Sequence, residues 1–198
     1  MLTLYHAPRS RSSRIVWLLE EVGEPYEIQY VGIRRGDGSG ETDAKNPHPH
    51  GKVPALIHDG VVVTESVAIC QYLGETFPAA GLEVKAGEPG RADYLSWLAY
   101  YAGVIEPSLT CKFLNVEAPR GVPGWAPWEA VEARIGAQLE TGPWALGERF
   151  TTVDILIASL LQWAAPNFKE RPAYEAYKAR IMARPALARA LAKDEPQA

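Results

Sequence analysis

An α/β layer followed by an all-helical domain is the fold class this chain predicts, on three observations. Over the first part of the chain, short alternating apolar runs interleave with helical periodicity in the order strand, helix, strand, loop, hairpin, helix. From residue 91 onward only helical patterns occur. Between the two, Pro78-Ala79-Ala80-Gly81 to Pro89-Gly90 has no period and carries the Pro and Gly that punctuate boundaries. The expected division is 1–78 for the first domain, 79–89 for a linker and 90–198 for the helical domain. The 198 residues, 47% of them hydrophobic, suffice for a full core in such a two-part protein.

Leu2-Thr3-Leu4-Tyr5 alternates as the first strand, and Pro8 closes it before the polar run Arg9-Ser10-Arg11-Ser12-Ser13. Ile15, Leu18, Leu19 and Val22 then recur at i, i+3, i+4 and i+7, a helix stopped by Gly23 and Pro25. Tyr26, Ile28 and Tyr30 alternate with Glu27 and Gln29 as a second strand. Gly32 to Asn46, rich in Gly and charge, reads as a mobile loop with a short helix near Thr42 to Lys45.

Gly51-Lys52-Val53-Pro54-Ala55-Leu56 enters a third strand, Asp59-Gly60 turns it, Val61 to Val63 returns, and a helix opens at Glu65-Ser66. Proline fixes its own φ and has no N–H, so Val53-Pro54 at a strand entrance leaves the Val53 main chain able to pair with something extended. A helix start offers unpaired N–H groups and a positive dipole end to a carboxylate. Together they suit a short, acidic, peptide-like ligand.

In the helical half, Leu95, Leu98, Ala102 and Ile105 share one side of a long pattern from Arg91 to Asn115, which Pro107 is expected to kink or break. Trp128, Val131, Ile135 and Leu139 mark the next helix. Thr151 and Asp154 have the layout of a capping box, with Phe150 and Ile155 at the staple positions, and a folding role is expected for them. Pro172 and Pro185 open two terminal helices.

A net charge of −4, with Lys and Arg scattered, argues against nucleic acid or an anionic membrane as the main partner. Met1 runs straight into a strand pattern, so no leader or membrane span is expected and the compartment is expected to be the cytoplasm. Cys70 and Cys111 fall in helical patterns and read as buried thiols, not a bridge. His48-Pro49-His50 has a spacing a metal could use, but no acidic or thiol ligand accompanies it, and no metal is expected.

The order βαβ…ββα is the thioredoxin-like one. Gly51 to Leu56, Asp59-Gly60 and Thr64-Glu65-Ser66-Val67-Ala68-Ile69 resemble the glutathione-binding stretch of the cytosolic glutathione transferases. The run Gly147-x-x-Phe150 followed by Thr151-x-x-Asp154-Ile155 resembles the helical domain of the same family. The resemblance implies glutathione as a substrate and no further cofactor. It assigns the Val53 backbone, across a cis Pro54, to the cysteinyl part of glutathione, Glu65 and Ser66 to the γ-glutamyl end, and Lys52 and His50 to the glycyl carboxylate.

Only a thiolate attacks, so such an enzyme needs a hydroxyl or another device that favours S⁻. On the residues alone, Ser10, Ser12 and Ser13 are all placed to supply it or simply to cap the helix. Pro8-Arg9-Ser10-Arg11-Ser12-Ser13-Arg14 resembles the Pro-x-Ser-x-x-x-Arg of the serine-type classes, which points to Ser10; Ser12, nearer the helix as in some bacterial members, and Tyr5 are the alternatives. No cysteine precedes Cys70, so dithiol chemistry of the thioredoxin kind is not expected. The resemblance further implies conjugation of the sulfur to a small, apolar electrophile held between the domains. Tyr101 and Phe113 are candidates for an apolar wall there, each also readable as core, and a homodimer is expected. Peroxide reduction or isomerisation with the same thiolate, and a non-catalytic binding module, are the alternatives.

Overall fold

Alternation builds β1 (Leu2–His6), in which Leu2, Leu4 and His6 are buried while Thr3 and Tyr5 are half-buried on the other face. It pairs in parallel with β2 (Tyr26–Tyr30) and antiparallel with β3 (Ala55–His58), which turns through Asp59-Gly60 into β4 (Val61–Thr64). The sheet order is β2-β1-β3-β4. A parallel pair requires a crossover, and α1 (Ser13–Val22) supplies it, closed by Gly23 at φ 80°, whose N–H returns to the Leu19 carbonyl. α2 (Ser66–Thr76) leaves β4 and packs on α1, completing the thioredoxin-like layer.

The computed structural model describes residues 1–117 and 121–195. Their contacts divide into two units, Met1–Gly81 with the segment from Met182 onward, and Leu82–Ile181. The sequence reading carries the helical domain to residue 198, whose last three residues lie outside those described; the packing instead groups the end of the chain with the first unit. The physical cause is α8 (Pro185–Ala192), which buries Ala186, Leu187 and Ala190 and lies along α1. So short a helix holds its shape only by docking. Arg184 clamps Glu21 through Nε and a terminal nitrogen at 2.6 and 2.7 Å. Arg189 and Lys193 reach Glu20 at 2.7 and 2.5 Å, and the Tyr26 hydroxyl donates to it at 2.6 Å.

The helix expected near Thr42 to Lys45 is not formed. Asp43 Oδ1 takes the Lys45 N–H at 2.8 Å, and the Asn46 N–H bonds the Asp43 carbonyl, so local side-chain bonding wins over a helix.

The second unit contains α3 (Arg91–Tyr100), α4 (Glu106–Leu114), α5 (Trp128–Leu139), α6 (Thr152–Trp163) and most of α7 (Pro172–Met182). A π-type turn, Tyr101–Ile105, joins α3 to α4 just before Pro107. Proline offers no N–H to the carbonyl one turn back and crowds it, so the turn widens. The buried face of this pair differs from the expected one. Tyr94, Trp97, Leu98, Tyr101, Ile105 and Leu109 are buried, whereas Leu95 and Ala102 face outward, because the large aromatics claim the core. In α5, Trp128, Val131, Ile135 and Leu139 are all buried, as their spacing predicts. Cys70 is buried, Cys111 is half-buried, and both are free.

The start of α6 is a capping box: Thr151 Oγ1 accepts the Val153 N–H at 3.3 Å, and Asp154 Oδ2 accepts the Thr151 N–H at 2.8 Å. Asp154 does more than cap. Its Oδ1 also accepts the Ala145 N–H at 2.7 Å and the Tyr177 hydroxyl at 2.9 Å, tying the preceding turn and α7 to α6. Burial pushes its carboxyl up to about 6, against the pull of these donors. Asp154→Ala would take away the acceptor of the buried Thr151 and Ala145 N–H groups while the Tyr177 hydroxyl keeps the Asp154 carbonyl at 3.3 Å, a loss of roughly 2 kcal/mol or more, so its Tm is expected to fall by about 4–8 °C in a thermal melt.

At Glu20, burial alone would raise the carboxyl pKa, but hydrogen bonds from Lys193, Tyr26 and Arg189 outweigh it and hold the group at about 2. A folded-state value below the unfolded one adds stability that is present above about pH 4.5 and lost as the pH falls toward 2. Tm measured across that window is expected to decline with acid, with a shallower slope in Glu20→Gln.

Candidate functional site

Sheet register decides what meets what. Tyr5 pairs with Ala55, and Ala55 with Thr64, so the residues after β1, before β3 and after β4 all emerge at one end of the sheet. These are the Ala7–Ser13 loop, Val53-Pro54 and Glu65-Ser66. Because β2 runs parallel to β1, the residues after Tyr30 emerge there too. Ala7, Val31 and Val53 form a buried cluster, with Tyr5 and Ile33 packed on it. The Val53–Pro54 peptide is cis. Among the described residues, the Val53 main-chain N–H and C=O make no hydrogen bond.

The serine loop is densely bonded. Ser10 Oγ donates to the Ala7 carbonyl at 2.7 Å, stands 2.8 Å from Ser12 Oγ and accepts the Ser12 N–H at 3.1 Å. Ser13 Oγ accepts the Ser10 N–H at 3.2 Å. Ser12 is fully buried, its Oγ accepting the Ala7 N–H at 3.1 Å and lying 2.7 Å from His6 Nδ1. Ser10 therefore remains half-buried at the sheet end while Ser12 turns inward.

At the other side, Glu65 takes φ 69° and ψ 124°, a region few side chains adopt. Its side chain is exposed, and α2 starts at Ser66. The Ile69 N–H is the first to find a carbonyl, that of Glu65 at 2.9 Å. The N–H groups of Ser66, Val67 and Ala68 thus head the helix as open donors, at its positive dipole end.

The loop before Val53 is braced by side chains the sequence did not single out as positioning groups. Asn46 Nδ2 donates to the Lys52 carbonyl at 2.9 Å, and its Oδ1 accepts the His48 N–H at 3.1 Å. His48 Nδ1 accepts the His50 N–H at 3.1 Å, so the proton of the neutral ring sits on Nε2, which faces Glu65 Oε1 at 3.9 Å. Burial lowers the His48 pKa, partly offset by Glu65. Gly51 is required here: its φ is 59°, and a Cβ would stand 2.2 Å from Thr42 Cγ2. His50 and Lys52 flank it with exposed side chains. An Asn before proline is an ordinary turn signal, and that was the one available clue to Asn46.

Tyr101 and Phe113 belong to the second unit, where Tyr101 is buried and Phe113 is 52% exposed, its ring 5.6 Å from that of Trp163. A cavity of about 950 Å³ in that unit is lined by Ser108, Cys111, Trp125 and Pro127 among others, with neither Tyr101 nor Phe113 in its wall. Among the described residues, no three His, Cys, Asp or Glu side chains gather as a metal site, and no helix is long and apolar enough to cross a membrane.

An open main-chain edge, a row of helix-start N–H groups, two basic side chains and a hydroxyl can hold an extended, doubly acidic peptide with one polar group beside Ser10. Relief of backbone strain gives a test of the Glu65 geometry. Glu65→Gly is expected to match or exceed the parent Tm, whereas Glu65→Val, β-branched at positive φ, is expected to lose about 1–2 kcal/mol in denaturant unfolding.

Comparisons with known proteins bear on this geometry. Residues 1–75 match the family model for the glutathione S-transferase N-terminal domain, and residues 129–185 match that for the C-terminal domain. A probable glutathione S-transferase, GSTU6 of Oryza sativa subsp. japonica, is 30% identical over 172 residues, covering 82% of this chain and 71% of the rice protein. The disulfide-bond oxidoreductase YfcG of Escherichia coli K12 is 29% identical over 212 residues, covering 98% of this chain and 95% of that one. A sphingomonad glutathione S-transferase solved in complex with glutathione superposes with a TM-score of 0.75 at 28% identity, covering 97% of this chain and 98% of that chain.

Proposed function

This chain belongs to the glutathione S-transferase family, and from that premise we propose that it binds glutathione at the sheet end, ionises its thiol and transfers the sulfur to a small apolar electrophile. The register that gathers the serine loop, Val53 and the start of α2 at one edge carries this reading. In it, the Val53 main chain, beside Pro54, pairs with the cysteinyl residue. Ser66 and the α2 N–H groups take the γ-glutamyl carboxylate, and Glu65 takes its ammonium group. Lys52 and His50 face the glycyl carboxylate. Asn46 and His48 brace that loop.

In this reading Ser10 gives its hydroxyl to the sulfur. With a thiolate beside it, the proton now given to the Ala7 carbonyl turns to sulfur, and the Ser12 N–H keeps the Ser10 oxygen in place. A hydrogen bond to a charged partner is worth roughly 1.5–3 kcal/mol, or about one to two pKa units. Burial of Ser12 against His6 disfavours it as the donor, and Tyr5 is taken up by packing against the Val53 cluster.

No cysteine lies in the serine loop, so any redox chemistry would rest on the thiol of glutathione itself. The likeness to a disulfide-bond oxidoreductase over 98% of the chain favours reduction of a glutathione-linked disulfide as the second reading. The same reading takes the protein as a cytoplasmic homodimer joined through α2 and α3.

Ser10→Ala is expected to hold glutathione within about threefold of the parent affinity while turnover drops about tenfold or more. Unchanged turnover would transfer the role to Ser12 or Tyr5. A panel of aryl halide, epoxide, hydroperoxide and mixed-disulfide substrates decides among transfer, peroxide reduction and disulfide reduction.

A further inference from the structure

His6 is fully buried at the end of β1 and yet bonded at both ring nitrogens. Nε2 lies 2.9 Å from the Asp194 carbonyl oxygen and 3.4 Å from Asp194 Oδ1. Both are acceptors, so the neutral ring carries its proton on Nε2. Nδ1 is then an acceptor for the Ser12 hydroxyl, and at 2.7 Å it is nearer than the competing Ala7 carbonyl at 3.2 Å. Ser12 Oγ in turn stands 2.8 Å from Ser10 Oγ. Two hydroxyls thus link half-buried Ser10 to a buried imidazole backed by a carboxylate. Asp194 Oδ1 is itself buried and, among the described residues, has no hydrogen-bond partner, which leaves it open to a more strongly donating Nε2–H.

We propose that His6 receives the thiol proton of glutathione through the Ser10 and Ser12 hydroxyls, with Asp194 holding the resulting imidazolium. The inference rests on the reading that Ser10 faces the thiol. The S–H bond breaks, its electron pair stays on sulfur, and its proton joins Ser10 Oγ. The proton of Ser10 passes to Ser12, and that of Ser12 passes to Nδ1. Both serines end as neutral hydroxyls, sulfur as a thiolate and His6 as a cation, so no proton enters the solvent.

The groups around His6 suit a base that is empty at neutral pH. Burial lowers its pKa, while Asp194 and Glu195 pull it upward. The Tyr30 ring stands edge-on at 5.5 Å, and its hydroxyl donates to the Lys193 and Glu195 carbonyls. Arg9 donates its main-chain N–H to Asp194 Oδ2, and its exposed side chain lies 3.4 Å from Glu195 Oε1. A thiolate at the outer end of the relay would add further negative charge in support of the imidazolium.

Protons released on mixing the protein with glutathione near neutral pH, read with an indicator dye in weak buffer, are counted against thiolate formed, read by its ultraviolet absorbance. The parent is expected to form thiolate with close to no release. His6→Asn and Ser12→Ala, each cutting the relay, are expected to release about one proton per thiolate, or to lose about tenfold in thiolate. Should His6→Asn fail to fold, Ser12→Ala decides alone. Thiolate with about one proton released by the parent overturns this proposal and leaves the glutathione reading standing. No thiolate in the parent overturns both.

Discussion

The transverse row Tyr5, Ala55, Thr64 is the constraint on which the rest depends. Side chains alternate along a strand, so sliding this row by one residue would turn every one of them to the wrong face. It would also separate the serine loop, Val53 and the start of α2. The buried cluster of Ala7, Val31 and Val53 sits at the same end and fixes where those backbones stop. Packing and site geometry are thus one requirement, met by the same few residues.

The end of the chain serves that edge as well. α8 is anchored to α1 by Glu20 and Glu21, and the residues beyond it run past His6, Arg9 and Tyr30. A carboxylate cluster on α1 therefore places Asp194 against His6 from 188 residues away in sequence. This anchor joins apolar burial of Ala186, Leu187 and Ala190 to ion pairs at Glu20 and Glu21, and the Glu20 share of it holds while that carboxylate stays ionised.

Much of this was legible in the sequence, and what was not has identifiable causes. Period and local motifs located the strands, most of the helices and the capping box at Thr151 and Asp154, because each rests on neighbours in sequence, whereas the helix expected near Thr42 to Lys45 gave way to side-chain bonding from Asp43. Along α3 and the turn after it, Leu98 and Ile105 are buried as their spacing predicts, but Leu95 and Ala102 are not, because volume decides burial there and Tyr94, Trp97 and Tyr101 fill the core. The bracing by Asn46 and His48 and the docking of α8 depend on partners far along the chain or on a fold not yet formed. Motif resemblance singled out Ser10 among three serines. Geometry supplied a physical ground for the same choice, in the inward turn of Ser12 toward His6.

The central claim is that this sheet end holds glutathione as a thiolate. Its most direct test is a titration of the ultraviolet thiolate band of protein-bound glutathione against pH. The account predicts a midpoint at least one unit below that of the free thiol, roughly 8.5. Bound glutathione titrating at the free-thiol value would contradict it, leaving a cradle for the peptide without activation of its sulfur.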